Sequence, residues 1–286
     1  MLVHTISEVK EQIFQWKKEG LTVGLVPTMG ALHEGHQSLI KKSVTTCDKT
    51  IVSVFVNPIQ FGQDEDFDKY PRTLEDDYKL TINTGADMVF APSADEMYGK
   101  DIRLSNDTLS YVVPPFFSVH KLCGKSRVGH FDGVCTVVAK LFNITQADYG
   151  FFGQKDAQQL TIIKKFVKDL NFPIKIVACP IVREESGLAL SSRNKYLSKE
   201  DKLHALALSK ILNNIKLCYK KGITNSKALK ETAFAFLTEK HELEYLEILD
   251  NTDFEPLETA DDNTIVLIAC KVAGVRLIDN ILFSEE

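Results

Sequence analysis

The sequence predicts an α/β protein with a mostly parallel sheet, followed by a smaller α+β domain. From the N-terminus to about residue 180, short apolar segments alternate with segments of helical periodicity, a pattern typical of a parallel sheet covered by helices. After Pro180 the pattern changes to two lysine-rich helical segments and then three strands. A chain of 286 residues, 44% of them hydrophobic, is long enough to bury a core in each part.

The N-terminal part has helical periodicity that is clearest at 134–142 and 160–170, where apolar residues recur every three or four positions. We also predict an insertion with some strand character at 94–119. Because ligands of parallel sheets bind at the carboxyl ends of the strands, the polar segments that follow the strands are candidate sites. The predicted strands are 22–26, 51–56, 87–91, 149–152 and 174–179.

The C-terminal part is predicted to contain an antiparallel sheet. Its helical segments cover about 198–220 and 226–240. We place the boundary near 181–182, which divides the chain into domains 1–181 and 182–286. The predicted strands of the second domain are 244–249, 264–272 and 275–283.

Composition and charge argue against several classes of protein. The chain has 34 basic and 39 acidic residues and no basic stripe with interleaved aromatic residues, so nucleic-acid binding is disfavoured. The longest apolar run, 265–270, is far shorter than the roughly 18 residues of a membrane-spanning helix, so we expect no membrane segment. The N-terminus lacks a signal-peptide pattern and the six scattered cysteines form no metal-ligand spacing, which indicates a cytoplasmic protein with reduced thiols.

Two histidines follow the first predicted strand, at the start of a helix. His33 and His36 precede 39–47, where apolar residues have helical spacing. The first N–H groups of a helix lack partners and its dipole is positive there, so an anion is favoured. A loop whose histidines satisfy local hydrogen bonds is the alternative. Since Gly30 permits close backbone approach and a His-x-Gly-His turn after a strand is similar to that of adenylyl-transferring α/β enzymes, we predict a nucleotide phosphate site.

A second polar cluster, 57–62, follows the next strand. Pro58 and Gly62 fix a turn that could aim the amide of Gln60 into the crevice at the sheet edge. An ordinary surface turn is an equally good interpretation of this cluster alone.

A third cluster, 153–159, again opens a helix. Gly153 permits close approach of the backbone, Lys155 offers a compact positive charge to a phosphate, and Asp156 could accept from ribose hydroxyls. Gln159 lies one turn into the helix. A solvated helix start would explain Lys155 and Asp156 as well, but it explains the paired glutamines less readily.

Two further clusters allow more than one interpretation. Thr73 followed by Asp76 is close to a capping box, which would make Asp76 structural. Asp76 and Asp77 also offer oxygen ligands to a Mg²⁺ that keeps most of its waters and bridges phosphates. The segment 182–194 is either a serine-rich linker or a phosphate-binding loop in which the Arg193 guanidinium contacts phosphate oxygens.

Together these motifs resemble the pantothenate synthetase family. Motifs at 27–36, 55–62, 70–73, 152–159 and 190–194 occur in that family's order and spacing, and 275–280 also resembles the family, so the resemblance covers essentially the whole chain. It implies a Rossmann-like N-terminal domain of the nucleotidylyl-transferase type that binds ATP and pantoate, a smaller α+β C-terminal lid domain, Mg²⁺ and a homodimer. The implied enzyme is an AMP-forming ligase of pantothenate biosynthesis, on the coenzyme A pathway. Pantoate and ATP give pantoyl adenylate and pyrophosphate, and β-alanine then attacks the adenylate to give pantothenate and AMP.

The resemblance also implies roles for individual residues. The implied catalytic residues are His36, as general acid, with His33, Lys155 and Arg193. The implied substrate ligands are Gln60, Gln159 and Arg127, and the implied Mg²⁺ ligand is Asp76. The implied ATP ligands are Met29, Gly30, Ala31, Leu32, His33, Glu34, Gly35, His36, Gly153, Gln154, Lys155, Asp156, Val182, Leu190, Ser191, Ser192 and Arg193.

The chemistry agrees with these roles. Attack of a carboxylate on the α-phosphorus needs no protein nucleophile, but it needs alignment of two anions and compensation of phosphate charge. Two positions depart from the family pattern, because Cys123 and Gln154 stand where the family often has glutamate. Each change removes a carboxylate near the cavity, and we expect ligands to shield the Cys123 thiol. A buried cysteine that only fills space is the alternative.

Three other functions compete with this interpretation. A nucleotidyltransferase acting on a phosphorylated substrate would need more cations than Gln60 and Gln159 provide. A silent ATP-binding module would have lost phosphate ligands, yet His33, His36 and Lys155 are present. A purely structural domain has no support beyond the polar helices after residue 198.

Overall fold

The computed structural model describes residues 1–62, 65, 67–99, 109–115 and 121–284. The chain divides into two units. Unit 1 consists of residues 1–154 and 158–180, and unit 2 consists of residues 155–157 and 181–286.

Unit 1 is built on a parallel sheet. Its strands are β1 (Leu2–Val3), β2 (Val23–Thr28), β3 (Lys49–Val54), β4 (Met88–Phe90), β5 (Tyr149–Gly153) and β6 (Lys175–Cys179). They pair in the order β1-β4-β3-β2-β5-β6. The interior strands carry nearly continuous apolar runs, as expected for strands that are buried on both faces.

Helices cover both faces of this sheet. Successive side chains of a strand point to opposite faces, so Leu25 and Val26 of β2 enter different core clusters. Leu25 lies in the cluster that also contains residues of α1, α6 and α7, and Val26 lies in the one that contains residues of α2. The helices are α1 (Ile6–Lys18), α2 (Glu34–Thr46), α3 (Leu74–Asn83), α4 (Ala94–Tyr98), α5 (Leu122–Ser126), α6 (His130–Thr145) and α7 (Ala157–Asp169).

Unit 2 contains an antiparallel sheet of three strands, β7 (His241–Asp250), β8 (Thr264–Val272) and β9 (Val275–Leu282), in the order β7-β8-β9. Its helices are α8 (Lys199–Lys220) and α9 (Ser226–Glu231). Residues Ala273 and Gly274 join β8 to β9 with φ values of 49° and 77°. A two-residue turn with both residues left-handed matches the twist of a hairpin, which fixes the register of β9.

The predicted fold class is confirmed, and every predicted strand is present with ends shifted by at most three residues. The predicted helix 226–240 is wrong beyond Glu231, because the chain turns there through a 3-10 turn, Phe234–Phe236, and enters β7 at His241. The predicted strand character at 94–119 is wrong at Ala94–Tyr98, where Ser93 caps α4; residues 100–108 and 116–119 lie outside the described residues. No helix in the described ranges is both long and apolar enough to cross a membrane.

Candidate active site

The strand order of unit 1 reverses direction between β2 and β5. The chain runs from β2 through β3 to β4 on one side, and later adds β5 and β6 on the other side. Neighbouring parallel strands leave a crevice at their carboxyl ends where the order reverses, and ligands bind there. The segments 29–36, 57–62 and 153–154 follow β2, β3 and β5, so they lie at this edge of the sheet.

His33 and His36 form a reciprocal cap at the start of α2. Nδ1 of His33 accepts a hydrogen bond from the Gly35 N–H at 3.1 Å, and Nδ1 of His36 accepts one from the His33 N–H at 3.3 Å. The two ring centroids lie 4.1 Å apart. Because a backbone N–H only donates, each neutral ring carries its proton on Nε2, the nitrogen that can donate to a phosphate oxygen. Local capping, the alternative interpretation of these histidines, is therefore observed, and it uses Nδ1 of each ring and not the Nε2 donor.

Asp77, which is 2% exposed, holds the backbone between β2 and α2. Its Oδ2 accepts from the Ala31 N–H at 3.0 Å, and its Oδ1 accepts from the Leu32 N–H at 2.7 Å. The Thr73 hydroxyl donates to Oδ2 at 3.2 Å. Ala31 has a φ of 52°, a left-handed conformation that costs about 1 kcal/mol in a residue with a side chain. Asp77 therefore stabilises a strained turn directly before the two histidines.

Gly30 is required in the same turn. Its φ is 86°, and a Cβ atom there would lie 3.0 Å from Oδ2 of Asp77 and 3.1 Å from Val54. A side chain would therefore strain the backbone and crowd the carboxylate that holds it.

Asp76, the predicted magnesium ligand, is exposed on the same helix. The capping box considered for Thr73 and Asp76 is wrong, because the Thr73 side chain makes no cap hydrogen bond and donates instead to Asp77. The described residues contain no group of three or more side chains that could hold a metal ion.

Gln60 is buried and contacts the segment that precedes α2. Its Nε2 donates to Sδ of Met29 at 3.0 Å, and its Oε1 accepts from Nδ2 of Asn57 at 3.0 Å. Oδ1 of Asn57 accepts from the Tyr98 hydroxyl at 2.7 Å. Burial raises the pKa of Tyr98, so this hydroxyl stays protonated at neutral pH and remains a donor. The amide of Gln60, a predicted substrate ligand, therefore has a fixed orientation beside 29–36.

Gly133 of α6 allows the segment that carries Gln60 to pass close to the helix. A Cβ atom at this position would lie 2.4 Å from the carbonyl oxygen of Ile59 and 2.7 Å from Cα of Gln60. These are backbone atoms, so a larger residue would displace the whole segment. Sequence reasoning missed this requirement because the contact joins distant parts of the chain.

Arg127 is held by an ion pair with Glu65. Its Nε and Nη2 atoms donate to the two carboxylate oxygens, both at 2.6 Å, and its Nη1 lies 2.8 Å from Nε2 of His130. Nδ1 of His130 donates to the carbonyl oxygen of Gln60 at 2.9 Å, which leaves Nε2 as the acceptor for Arg127. Burial by itself would raise the pKa of Glu65, but the hydrogen bond and charge of Arg127 outweigh it and hold that pKa below its ordinary value. Arg127 is thus connected to Gln60 through His130.

The start of α7 packs against the segment before Arg127. Gln158 accepts from the Cys123 N–H at 3.0 Å and donates to the Lys121 carbonyl oxygen at 2.9 Å. The next residue, Gln159, is half-buried, and Gln154 is buried at the end of β5. Cys123 therefore lies beside the helix turn that carries Gln159.

In unit 2, Lys155 and Asp156 belong to a 3-10 turn, Gln154–Asp156. Nζ of Lys155 lies 3.8 Å from Oδ1 of Asp156, and the Lys155 carbonyl oxygen accepts from Nδ2 of Asn280 at 3.0 Å. The Asp156 side chain is exposed. The lysine backbone is therefore fixed while its ammonium group has only a distant carboxylate partner within this turn.

The segment 182–193 of unit 2 begins as a small hairpin and ends in a 3-10 turn. Arg183 and Ala189 form an antiparallel bridge, and the Leu190 N–H donates to the Val182 carbonyl oxygen at 3.0 Å. Two serines and the arginine follow. Oγ of Ser191 accepts from the Arg193 N–H at 3.3 Å and caps the turn Ser192–Tyr196. The predicted ATP ligands of this segment thus lie in one continuous stretch of hydrogen-bonded backbone.

Within unit 1, hydrogen bonds join three of the predicted features: the segment 29–36, Gln60 and Arg127. The sequence did not predict that Asp77, Glu65 and His130 support them. A signal existed for Asp77, because it shares a helix face with Thr73 and Thr81, each four positions away, and Thr81 is also buried.

The sequence matches a known family model and the sequences of curated relatives. A family model for pantoate-beta-alanine ligase matches residues 1–282. The pantothenate synthetase of Clostridium novyi is 51% identical over 283 residues, which are 98% of each chain. That of Caldicellulosiruptor saccharolyticus is 49% identical over 284 residues, which are 99% of each chain.

Solved structures of the same family are also similar to this chain. The pantothenate synthetase of Thermus thermophilus superposes with a TM-score of 0.89 at 36% identity, covering 99% of both chains. The pantoate-beta-alanine ligase of Francisella tularensis, solved in complex with beta-gamma ATP and β-alanine, superposes with a TM-score of 0.80 at 34% identity and covers 100% of this chain and 98% of its own.

Proposed function

The chain belongs to the pantoate–β-alanine ligase family, and we propose that it uses ATP to condense pantoate with β-alanine through a pantoyl-adenylate intermediate. The observation that carries this proposal is the His33–His36 cap, held by Asp77 beside the fixed amide of Gln60 at the point where the strand order reverses. The histidine cap offers donors to an anion, and the amide of Gln60 is a neutral donor at the same edge of the sheet. Such an arrangement suits a phosphate group bound beside a hydroxy acid.

The first step is attack of the pantoate carboxylate on the α-phosphorus of ATP, with pyrophosphate leaving. The carboxylate is the nucleophile, so the protein aligns the reactants and compensates phosphate charge. From unit 1, we propose that 29–36 with His33 and His36 binds the triphosphate, with Gly153 and Gln154 as further ATP ligands. We propose that His36, the implied general acid, acts by donating a hydrogen bond from Nε2 to the phosphate charge that develops. Gln60, Gln159 and Arg127 would bind the carboxylate substrates. From unit 2, the proposed ATP ligands are Lys155, Asp156, Val182, Leu190, Ser191, Ser192 and Arg193.

The second step is attack of the β-alanine amine on the acyl carbon of the adenylate, with AMP leaving. This breaks the acyl–phosphate bond and forms the amide of pantothenate. Because a mixed anhydride hydrolyses readily, the site must keep water away from it between the two steps. Gln60 is 8% exposed, which places one proposed pantoate ligand in a largely dry environment.

We propose that Mg²⁺ takes part and that Asp76 binds it. Asp77 is committed to the backbone of Ala31 and Leu32, whereas Asp76 beside it is exposed to solvent. When bound, the ion would neutralise charge on the phosphate oxygens and keep most of its waters.

We also propose a homodimer and a cytoplasmic location. Strand β6 lies at the edge of the sheet, where a second copy can add by pairing, and the partly exposed Phe172 and Ile176 line a groove beside it. All six cysteines are thiols and not disulfides, which is typical of a reducing compartment. Light scattering on the purified protein measures the mass of the assembly.

Isotope transfer tests the proposed reaction. Pantoate labelled with ¹⁸O in its carboxylate should give AMP that carries one ¹⁸O, because the attacking oxygen stays on phosphorus when β-alanine displaces AMP. Pantothenate, AMP and pyrophosphate should form in equal amounts. Release of ADP and phosphate, or a product that retains the nucleotide, would contradict the proposal and would point to an acyl phosphate or a nucleotidyltransferase.

We expect Gly133→Ala to raise the KM for pantoate by about tenfold or more, since the new Cβ displaces the Ile59–Gln60 backbone. Alanine is otherwise the better helix former by about 1 kcal/mol, so any loss of stability reports the clash. Initial-rate kinetics measure the effect. Ala139→Gly, in the same helix, is the control for destabilisation and should leave the KM for pantoate near its original value. Equal KM values for the two variants would contradict the role of this close approach.

Cysteine labelling tests whether ligands cover Cys123. Burial raises the pKa of Cys47, Cys179 and Cys270 to about 11 and that of Cys135 to about 12, so these four thiols should react slowly. Cys123 and Cys218 are less buried and should react first with iodoacetamide. ATP with pantoate should slow labelling of Cys123 and leave Cys218, in α8 of unit 2, as the internal control. Equal labelling rates for Cys123 with and without ligands would show that the ligands do not cover this thiol.

A further inference from the structure

Two consecutive residues near the end of β9 are buried although both are polar. Asp279 is 4% exposed and Asn280 is 1% exposed. Burying a carboxylate and an amide is unfavourable unless both have hydrogen-bond partners. They belong to the motif 275–280, which resembles the family but to which the proposed mechanism gives no role.

Asp279 holds the base of the hairpin that contains proposed ATP ligands. Nη1 of Arg183 donates to its Oδ2 at 2.6 Å, and Nη2 donates to its Oδ1 at 2.9 Å. Nη1 of Arg183 also donates to the Gly187 carbonyl oxygen at 3.2 Å, across the same hairpin. This two-pronged pair is geometrically specific, so it fixes the position of the segment that runs on to Ser191 and Arg193.

Asn280 holds a second, separate segment. Its Nδ2 donates to the Lys155 carbonyl oxygen at 3.0 Å, and its own N–H donates to Oδ1 of Asp279 at 2.8 Å. The hydrogen bond to the carbonyl fixes the peptide plane of Lys155, and the side chain departs from the adjoining Cα. One strand of unit 2 thus contacts two segments that are distant in sequence and that both carry proposed ATP ligands.

We propose that Asp279 and Asn280 are positioning residues that fix Lys155 and the segment 182–193 for ATP binding. The inference rests on the proposed function, in which Lys155 and Arg193 contact ATP. If the pair were purely structural, its loss would lower stability and change the KM for ATP and the KM for pantoate to the same extent. A positioning pair acts through the residues it holds, so its loss must matter only while those residues are present.

Double-mutant cycles test the proposal. We expect Asn280→Ala to raise the KM for ATP about tenfold in pantoate-dependent pyrophosphate exchange, with little change in the KM for pantoate. In a Lys155→Ala background, the same change should have no further effect on ATP. Asp279→Asn should show the same coupling with Arg193→Ala. Independent, multiplicative effects in both cycles would overturn the proposal.

A matched ion pair on the same strand serves as the control. Nε of Arg276 donates to Oε2 of Glu244 at 2.9 Å, so Arg276→Gln removes an ion pair of β9 and should leave the KM for ATP unchanged. If Asn280→Ala does not fold, Asn280→Leu fills the same space without the amide, and calorimetric ATP binding replaces kinetics. Absence of exchange in the original protein would refute the proposed function, whereas normal exchange with uncoupled variants would refute only the positioning role.

Discussion

We expect His36→Ala to lower the rate of pantoyl-adenylate formation by about 10²–10³-fold, the usual effect of removing one preorganised donor from developing charge. Nδ1 of His36 accepts from the His33 N–H, so its proton is on Nε2, and this N–H can donate a hydrogen bond to a phosphate oxygen. The alanine variant also loses half of the reciprocal cap of α2, which costs about 1 kcal/mol of stability. Pyrophosphate exchange measures the rate and thermal unfolding measures the stability.

Two further substitutions separate the cap from the chemistry. The amide oxygen of asparagine can occupy the place of Nδ1, and the amide nitrogen of glutamine can occupy the place of Nε2. We therefore expect His36→Asn to keep the stability of the original protein and lose adenylation, and His36→Gln to keep more activity with a weaker cap. Adenylation that is unchanged in His36→Asn would show that this ring only caps the helix.

We expect Asp77→Asn to lower adenylation about a hundredfold and to lower the free energy of unfolding by about 2–3 kcal/mol. The asparagine NH₂ group would face one of the N–H donors of Ala31 and Leu32, which leaves a buried donor without an acceptor. Ala31 would then lose a contact that holds its left-handed φ, and the histidines that follow would shift. A displacement of about 1 Å is enough for a loss of this size.

The neighbouring carboxylate provides the control. Asp76→Asn changes an exposed residue of the same helical turn, so the free energy of unfolding should stay the same. If Asp76 binds magnesium, this variant should need a higher Mg²⁺ concentration for half-maximal exchange, and Asp77→Asn should not be rescued by magnesium. An Asp77→Asn protein with the stability and activity of the original would contradict the role given to Asp77.

The fold was largely predictable because its strands are apolar runs separated by helical periods. Two elements of the fold, β1 and α1, were not predicted. Strand β1 has two residues, too few to show a period, and it forms only because β4 offers an edge. Helix α1 was not predicted although Thr5 and Glu8 form a capping box and Val9, Ile13 and Trp16 form a buried face, so its signal was present in the sequence.

The positions of the candidate site residues were predictable where these residues follow strands, and less so where distant residues support them. The two histidines and Gln60 lie in local motifs, so their positions were predictable from the strands they follow. Glu65 pairs with Arg127 across 62 positions, and Asn280 contacts Lys155 across 125 positions. Such contacts depend on the folded topology, and nothing in the local pattern of either partner indicates the other.

Exchange of labelled pyrophosphate into ATP is the most direct test of the central claim, that this site adenylates pantoate. Without β-alanine, the protein should catalyse exchange that saturates with pantoate and is absent without it, because the adenylate forms reversibly before the amine is needed. Exchange that proceeds without pantoate, or that requires β-alanine, would contradict the account.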